Sequence, residues 1–572
     1  MRMRTGWILA ALWLAACGDV MPTAPAAAPQ PAASTPIAPR GYFDETGLFV
    51  HDPAILRAMP TARERAALKG DGYDPTRAPI PQYYAITEPP QNLPRVRPMV
   101  EWEPMKALVM GFPGTMLGSP SVTATVVSIA ANALPHGEVW IIVDDQGQAA
   151  GSTAAALRAA IADAGVSQTL IDARLRTATT TLDSIWFIDY GPLPIIDMQD
   201  DTYAFADFRY YPQRPADDAI PTLLGRALEG VFALPANVPT YRMPLNTEGG
   251  TFQATTDGVC ITGSRQIYNL SCGTTGLTCD ETIITSMSLA ALQGHALTRA
   301  MEATLRDYVG CDDLVVTHSI TDDGTGHIDM YLKILDDDRI LIGEYRAPYA
   351  NDFQSENANL MDENAALLAA YVKPDGGHFT VSRLIMPGHQ DSDTGAVPFT
   401  YINATFFNGV NLWPVSNFAE WEGSKAEAQA TWDMLLPGLQ NVAIDATQLS
   451  FYSGAVHCIT RTIPAKTPDL WVADGTCASG RCVAPPHGYD DACEPAPDAG
   501  EACWGPAWLC GCNDCGGDCS DPCHGLGNAG CCDGGDLLYW AQLLAPWASS
   551  LGSRGQRPPS LSMAREMRAA EE

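Results

Sequence analysis

Between Met105 and about Asp172, apolar runs alternate with stretches of helical periodicity. Lys106-Ala107-Leu108-Val109-Met110 reads as a buried strand, Thr123 to Leu134 as a helix, Val139 to Val143 as a second strand and Thr153 to Ala164 as a second helix. Short apolar strands separated by longer amphipathic helices point to an α/β architecture. The mixture returns further along. Ser286 to Tyr308 reads as one long helical stretch, followed by strand-like Leu314-Val315-Val316. Asp329 to Leu335 and Ile340 to Tyr345 flank the acidic turn Asp336-Asp337-Asp338 as a hairpin, and Glu427 to Leu436 is helical up to a Pro437-Gly438 stop. No internal repeat is visible in the letters. After Pro464 the pattern gives way to Gly, Pro, Asp and Cys, which sets the end of the α/β region near residue 470.

The N-terminus is of another kind. Arg2 and Arg4 precede a short apolar stretch, Gly6 to Ala16, which has the length of a signal-peptide core and is too short to span a bilayer. It ends in Leu14-Ala15-Ala16-Cys17, which resembles a bacterial lipobox, where the cysteine becomes the lipidated first residue of the mature chain. The Pro/Ala-rich, almost uncharged segment up to residue 40 suits an extended tether. No other segment reaches about 18 uninterrupted apolar residues, so no transmembrane helix is expected. The expected order is a signal peptide at 1–17, a tether at 18–40, an α/β catalytic domain at 41–470, a Cys-rich module at 471–535 and a tail at 536–572. The expected location is the bacterial cell envelope, through a lipid on Cys17 and on the outer membrane, or the exterior.

Composition changes this picture in two ways. The net charge is −32, a surface that repels nucleic-acid phosphates and favours cationic ligands. Of the seventeen cysteines, eleven fall between Cys477 and Cys532. In an exported chain that density reads as a disulfide-stapled module rather than as a zinc centre on Cys510, Cys512 and Cys515.

Four islands carry candidate chemistry: Trp186-Phe187-Ile188-Asp189, Asn246-Thr247-Glu248-Gly249-Gly250, Gly324-Thr325-Gly326-His327-Ile328-Asp329 and Gly454-Ala455-Val456-His457-Cys458-Ile459-Thr460. On a strand, His327 and Asp329 would face the same way, which suits proton transfer beside a bound cation. Cys458 lies more than 140 residues from Cys311, the nearest other cysteine outside the tail, and is a candidate nucleophile. His457 would point to the opposite face of a strand and is read as structural.

In this order the islands resemble the family of agmatine deiminases and bacterial, Porphyromonas-type peptidyl-arginine deiminases. Glu101-Trp102-Glu103-Pro104, Tyr401-Ile402-Asn403 and Asn408-Gly409-Val410 add to the likeness, which spans about residues 95–467. The resemblance implies a pentein fold, a five-bladed α/β propeller around a central site. It implies Cys458 as nucleophile, His327 as general acid and base, and Asp189 and Asp329 as guanidinium binders, with no metal and no organic cofactor. Glu248 and Asn403 join the substrate-binding set, although Glu248 is equally readable as a structural turn carboxylate. Arg214, followed by Pro215, Asp217 and Asp218, stands where the bacterial enzymes clamp a C-terminal carboxylate; Pro212 occupies the place of a second arginine, and Arg209 is its possible substitute. Ile188 and Thr251 depart from the family pattern, which has Arg and Asn there. The implied activity is conversion of arginine in peptides or proteins to citrulline. Hydrolysis of agmatine is the alternative, and an inactive lipoprotein that only binds Arg-containing ligands is the non-enzyme reading.

Overall fold

The computed structural model describes residues 96–468 except 146–147, 200, 212, 227–231, 233–237 and 274–279, together with scattered positions between 42 and 90. The expected signal peptide with Cys17, and the expected tether, Cys-rich module and tail, lie outside the described residues.

Five sheets share one pairing pattern: a central strand with an antiparallel neighbour on one side and a parallel neighbour on the other. Met105–Pro113 lies between Arg461–Pro464 (antiparallel) and Glu138–Asp144 (parallel), with Leu175–Thr179 beyond. Thr202–Arg209 pairs antiparallel with Leu193–Asp197 and parallel with Thr240–Asn246. Val259–Gly263 does the same with Gln253–Ala254 and Asp313–Thr317. Arg339–Glu344 does so with Leu332–Asp336 and Thr380–Ile385. Val410–Val415 completes the set with Thr405–Phe407 and Gln440–Asp445. A parallel neighbour needs a crossover, and each of these pairs has a helical one: Pro120–Ala133, Ile220–Arg226, Ala296–Val309, Asp352–Ala370 and Glu422–Leu435. A repeat unreadable in the letters is therefore plain in the backbone.

The apolar runs are apolar because both faces of these strands are covered. Met105–Pro113 is buried at every position but Lys106. N-terminal positions join the same core: Phe49 stacks on Phe451 at 4.2 Å, and the Trp186 Nε1–H donates to the Leu56 carbonyl at 2.8 Å.

Three sequence expectations change. Ser286 to Tyr308 is not one helix. Leu289–Gln293 ends at Gly294, and the His295 side chain accepts from the Leu297 amide to begin Ala296–Val309 afresh. The strand expected from Asp329 starts at Leu332, because Ile328–Met330 forms a 3-10 turn. His457 and Cys458 likewise sit on a 3-10 turn, His457–Ile459, and not at the end of a strand. A disulfide, Cys260–Cys311, joins two neighbouring strands' ends and was not foreseen.

Candidate active site

Each of the five sheets is entered through a short connection, and these connections supply the chemistry. Asp189, on the turn Phe187–Tyr190, precedes the strand Leu193–Asp197. Glu248 and the turn Gly249–Thr251 precede Gln253–Ala254. His327 and Asp329 precede Leu332–Asp336, Asn403 precedes Thr405–Phe407, and Cys458 precedes Arg461–Pro464. The structure brings them together. The ligating atoms of His327, Asp329 and Cys458 lie within 4.8 Å of one another, and so do those of Asp189, Glu248 and His327.

Cys458 is a free, fully buried thiol. The Asn403 amide donates to its Sγ at 3.2 Å, and the Asn403 Oδ1 accepts from the His457 and Cys458 amides at 2.8 and 3.3 Å, so one side chain fixes both the nucleophile and its turn. Asp329 Oδ2 lies 3.9 Å from the sulfur. His327 Nε2 is in close contact with Glu248, whose other oxygen accepts from the Tyr211 hydroxyl. His327 Nδ1 is 3.7 Å from Asp189.

The two glycines after Glu248 are there for space. A Cβ on Gly249 would lie 1.9 Å from the Ile188 carbonyl oxygen, and one on Gly250 would lie 2.4 Å from His327 Nδ1. The Gly250 amide donates to Asp189 Oδ1 at 3.2 Å. Thr251, which replaces the family's Asn, closes this turn by donating to the Glu248 carbonyl at 2.6 Å. Ile188 brings no charge, yet a buried guanidinium is present here from another segment: Arg461 donates to the Ile188 and Gly191 carbonyls at 3.0 and 3.4 Å.

Each aspartate has one oxygen held by the protein and one left over. Asp189 Oδ1 is bound by Gly250 and Asp329 Oδ2 by His457, whereas Asp189 Oδ2, Asp329 Oδ1 and His327 Nδ1 are buried with no hydrogen-bond partner among the described residues. Buried polar groups are rarely left so, and the two carboxylate oxygens call for a ligand rich in donors. Such spacings alone would also admit a divalent ion. Two half-used carboxylates beside a thiol suit a planar cation with forked N–H donors better, and none of these residues is assigned as a metal ligand.

Protonation follows from burial and crowding. Burial raises the Asp189 carboxyl to about 7; Glu248 and Asp329 add to the rise, while His327 and the Gly250 amide oppose it. Burial disfavours a charged His327, but Asp189, the Cys458 thiol and Glu248 outweigh it and hold the imidazole well above its ordinary value. Burial, with Asp329 and Asp189, pushes the Cys458 thiol up to about 12 against the pull of His327. A cation entering between the aspartates reverses that bias and favours the thiolate.

Arg214 is corrected. It is fully buried, its guanidinium lies over the Tyr211 ring at 4.9 Å, and it donates to the Tyr210 hydroxyl and the Arg57 carbonyl at 2.9 and 3.0 Å. It supports the tyrosine that holds Glu248 and does not line the adjoining pocket, which is formed by residues including Arg209, Tyr211, Asn246, Glu248 and Gln266. His457 is also corrected: it faces the site and binds Asp329 at 2.6 Å and Glu101 at 2.7 Å. Sequence reasoning missed Tyr211, Glu101, Lys333 and Arg461. Glu101 alone carried a signal, since its Glu-Trp-Glu-Pro motif had been matched without a role.

The model of the Porphyromonas-type peptidyl-arginine deiminase family matches residues 97–274 and 275–464. A Legionella pneumophila protein provisionally named an agmatine deiminase is 21% identical over 226 residues, which is 39% of this chain and 57% of that protein, so the chain spans little more than half of this relative's length. A solved structure provisionally named an agmatine deiminase superposes with a TM-score of 0.51 at 16% identity, covering 66% of this chain and 98% of the other. That of an arginine deiminase, also provisionally named, from Porphyromonas gingivalis gives 0.49 at 20% identity, covering 65% and 99%. The mixed α/β fold is thus that of the deiminase structures. With the family model matched across most of its length, the chain belongs to the Porphyromonas-type peptidyl-arginine deiminase family.

Proposed function

We propose that the protein hydrolyses the guanidinium of arginine, in peptides or proteins, to citrulline and ammonia, and that its five sheets are the blades of a pentein propeller. The observation that carries the reading is the pair of unpartnered, buried carboxylate oxygens, Asp189 Oδ2 and Asp329 Oδ1, beside the free thiol of Cys458. A guanidinium stays charged at physiological pH and offers forked donors to both. Its charge lowers the thiol's pKa as it binds, the thiol gives its proton to solvent, and the Cys458 thiolate attacks the central carbon. His327, held protonated by Asp189 and Glu248, gives its proton to the departing amine. The neutral imidazole then takes a proton from water, which attacks the thiouronium; the carbon–sulfur bond breaks and the urea product leaves with the thiolate restored.

A small cleft beside Glu248 carries Arg209 on its wall, and we assign this residue to meet the α-carboxylate of the substrate. Export is supported by the Cys260–Cys311 disulfide, a bond suited to an oxidising compartment, and by the lipobox-like Cys17. The test is release of ammonia and citrulline from a peptide ending in arginine, the same peptide amidated, and agmatine. The free-acid peptide is expected to be the best substrate and Cys458→Ser to abolish turnover. Equal rates on all three point to a general guanidine hydrolase, and no release from any of them by the wild type refutes the reading.

A further inference from the structure

We propose that His457 and Glu101 are a positioning pair that orients Asp329 and reserves its second oxygen for the substrate. The inference rests on the guanidinium site proposed above. Both nitrogens of the His457 ring face carboxylate oxygens, Asp329 Oδ2 at 2.6 Å and Glu101 Oε1 at 2.7 Å. A neutral imidazole has one lone pair and one N–H, so it would set a lone pair against one of these oxygens. The imidazolium donates to both. The geometry therefore calls for a charged ring, sandwiched between two carboxylates and buried to 3% exposure.

The chain of contacts continues outward. Glu101 Oε2 takes an ion pair from Lys333 at 2.6 Å and a hydrogen bond from the Phe406 amide at 3.0 Å. Glu101, His457, Lys333 and Arg461 line a second cleft that shares no residue with the one beside Glu248. The charged and titratable groups around the ring are thus Glu101, Asp329, Lys333, Arg461 and the neighbouring Cys458. The consequence for Asp329 is twofold. Oδ2 is occupied by a cation that will not leave, which fixes the carboxylate plane. Oδ1 is left buried without a hydrogen-bond partner among the described residues. With Glu101 neutralised, the ring has less reason to stay charged, and a neutral ring can no longer guarantee Asp329 its proton donor.

Asp329 would meet the guanidinium in the ground state as well as in the transition state, so damage to the pair should weaken binding more than it slows chemistry. The experiment uses the full chain. In the Cys458→Ser background, calorimetric titration with agmatine and with a peptide ending in arginine measures binding without turnover. Glu101→Gln and His457→Gln, which keep shape and remove charge, are each expected to weaken binding at least tenfold, and Glu101→Asp to restore part of it. In the chain with Cys458 intact, the same changes are expected to raise KM at least tenfold with kcat changed less than threefold. Unchanged affinity in both charge-removing variants overturns the proposal, as does a fall in kcat at constant KM. If one variant does not fold, the other carries the test; if neither folds, the pair belongs to the scaffold and the proposal is wrong. If the Cys458→Ser parent binds neither ligand, the guanidinium reading itself fails, and this inference with it.

Discussion

Replacing Gly250 by alanine adds one methyl group, and the structure says where it goes. The new Cβ would stand 2.4 Å from His327 Nδ1, 2.8 Å from Cγ and 3.0 Å from Cε1. An ordinary contact needs at least about 3.4 Å, so the ring or the turn must give by roughly 1 Å. Neither gives freely. The ring is fully buried between Glu248 and Asp189, and the Gly250 amide is itself tied to Asp189. Overpacking of this kind costs about 1–3 kcal/mol of stability. A displacement of about 1 Å in a group that must hand a proton to a leaving amine costs on the order of 100-fold in rate. Gly250→Ala is therefore expected to lose about two orders of magnitude in kcat for ammonia release while remaining folded, as read by circular dichroism and thermal melting. A variant within threefold of the wild-type rate at unchanged Tm would refute the packing of His327 against this turn, and with it the reason given for the second glycine.

The remaining predictions concern charge and cross-links. Because burial lifts the empty-site Asp189 carboxyl to about 7, kcat/KM should climb with pH through that value, about tenfold per unit below it; a flat profile from pH 5 to 8 contradicts this. A carboxyl with a raised folded pKa weakens the fold as pH rises from its unfolded value towards 7, so Asp189→Asn should melt higher at pH 8, by a few kcal/mol at most, while losing activity. Arg214→Ala should destabilise the chain by roughly 1–3 kcal/mol, through lost hydrogen bonds to a buried charged group, and slow all substrates alike, whereas Arg209→Ala should slow only peptides with a free carboxylate; the reverse assignment would be seen directly in kcat/KM. Removing the Cys260–Cys311 bond, which closes a separation of 51 residues, should cost up to about 4 kcal/mol in denaturant titrations, and no loss would mean the two thiols are not joined in the native protein.

What the sequence could show was set by whether a signal is local. The strands Met105–Pro113 and Glu138–Asp144 announce themselves because double-sided burial demands unbroken apolar runs, and the acidic turn between Leu332–Asp336 and Arg339–Glu344 is its own marker. Asp189, His327, Asp329 and Cys458 were legible as motif residues, and the structure gathers them around His327. Arg214 and His457 were misplaced for the same reason. Spacing along a chain assigns a face only inside a regular element, and both residues sit on turns with a partner far away in sequence: Arg57 for the first, Glu101 for the second. The common pairing pattern of the five sheets escaped for a related reason, since it is a repetition of hydrogen-bond partners and not of letters.

The strand Arg461–Pro464 closes the first of the five sheets by pairing with its centre, Met105–Pro113. The nucleophile sits on the turn just before it, and His457 reaches back 356 positions to Glu101. A growing chain consequently carries no assembled thiol until this segment has emerged and docked. Contacts of such long range form late and slowly. The arrangement couples assembly of the site to synthesis as far as Pro464, so that chains cut short before this strand lack the docked thiol.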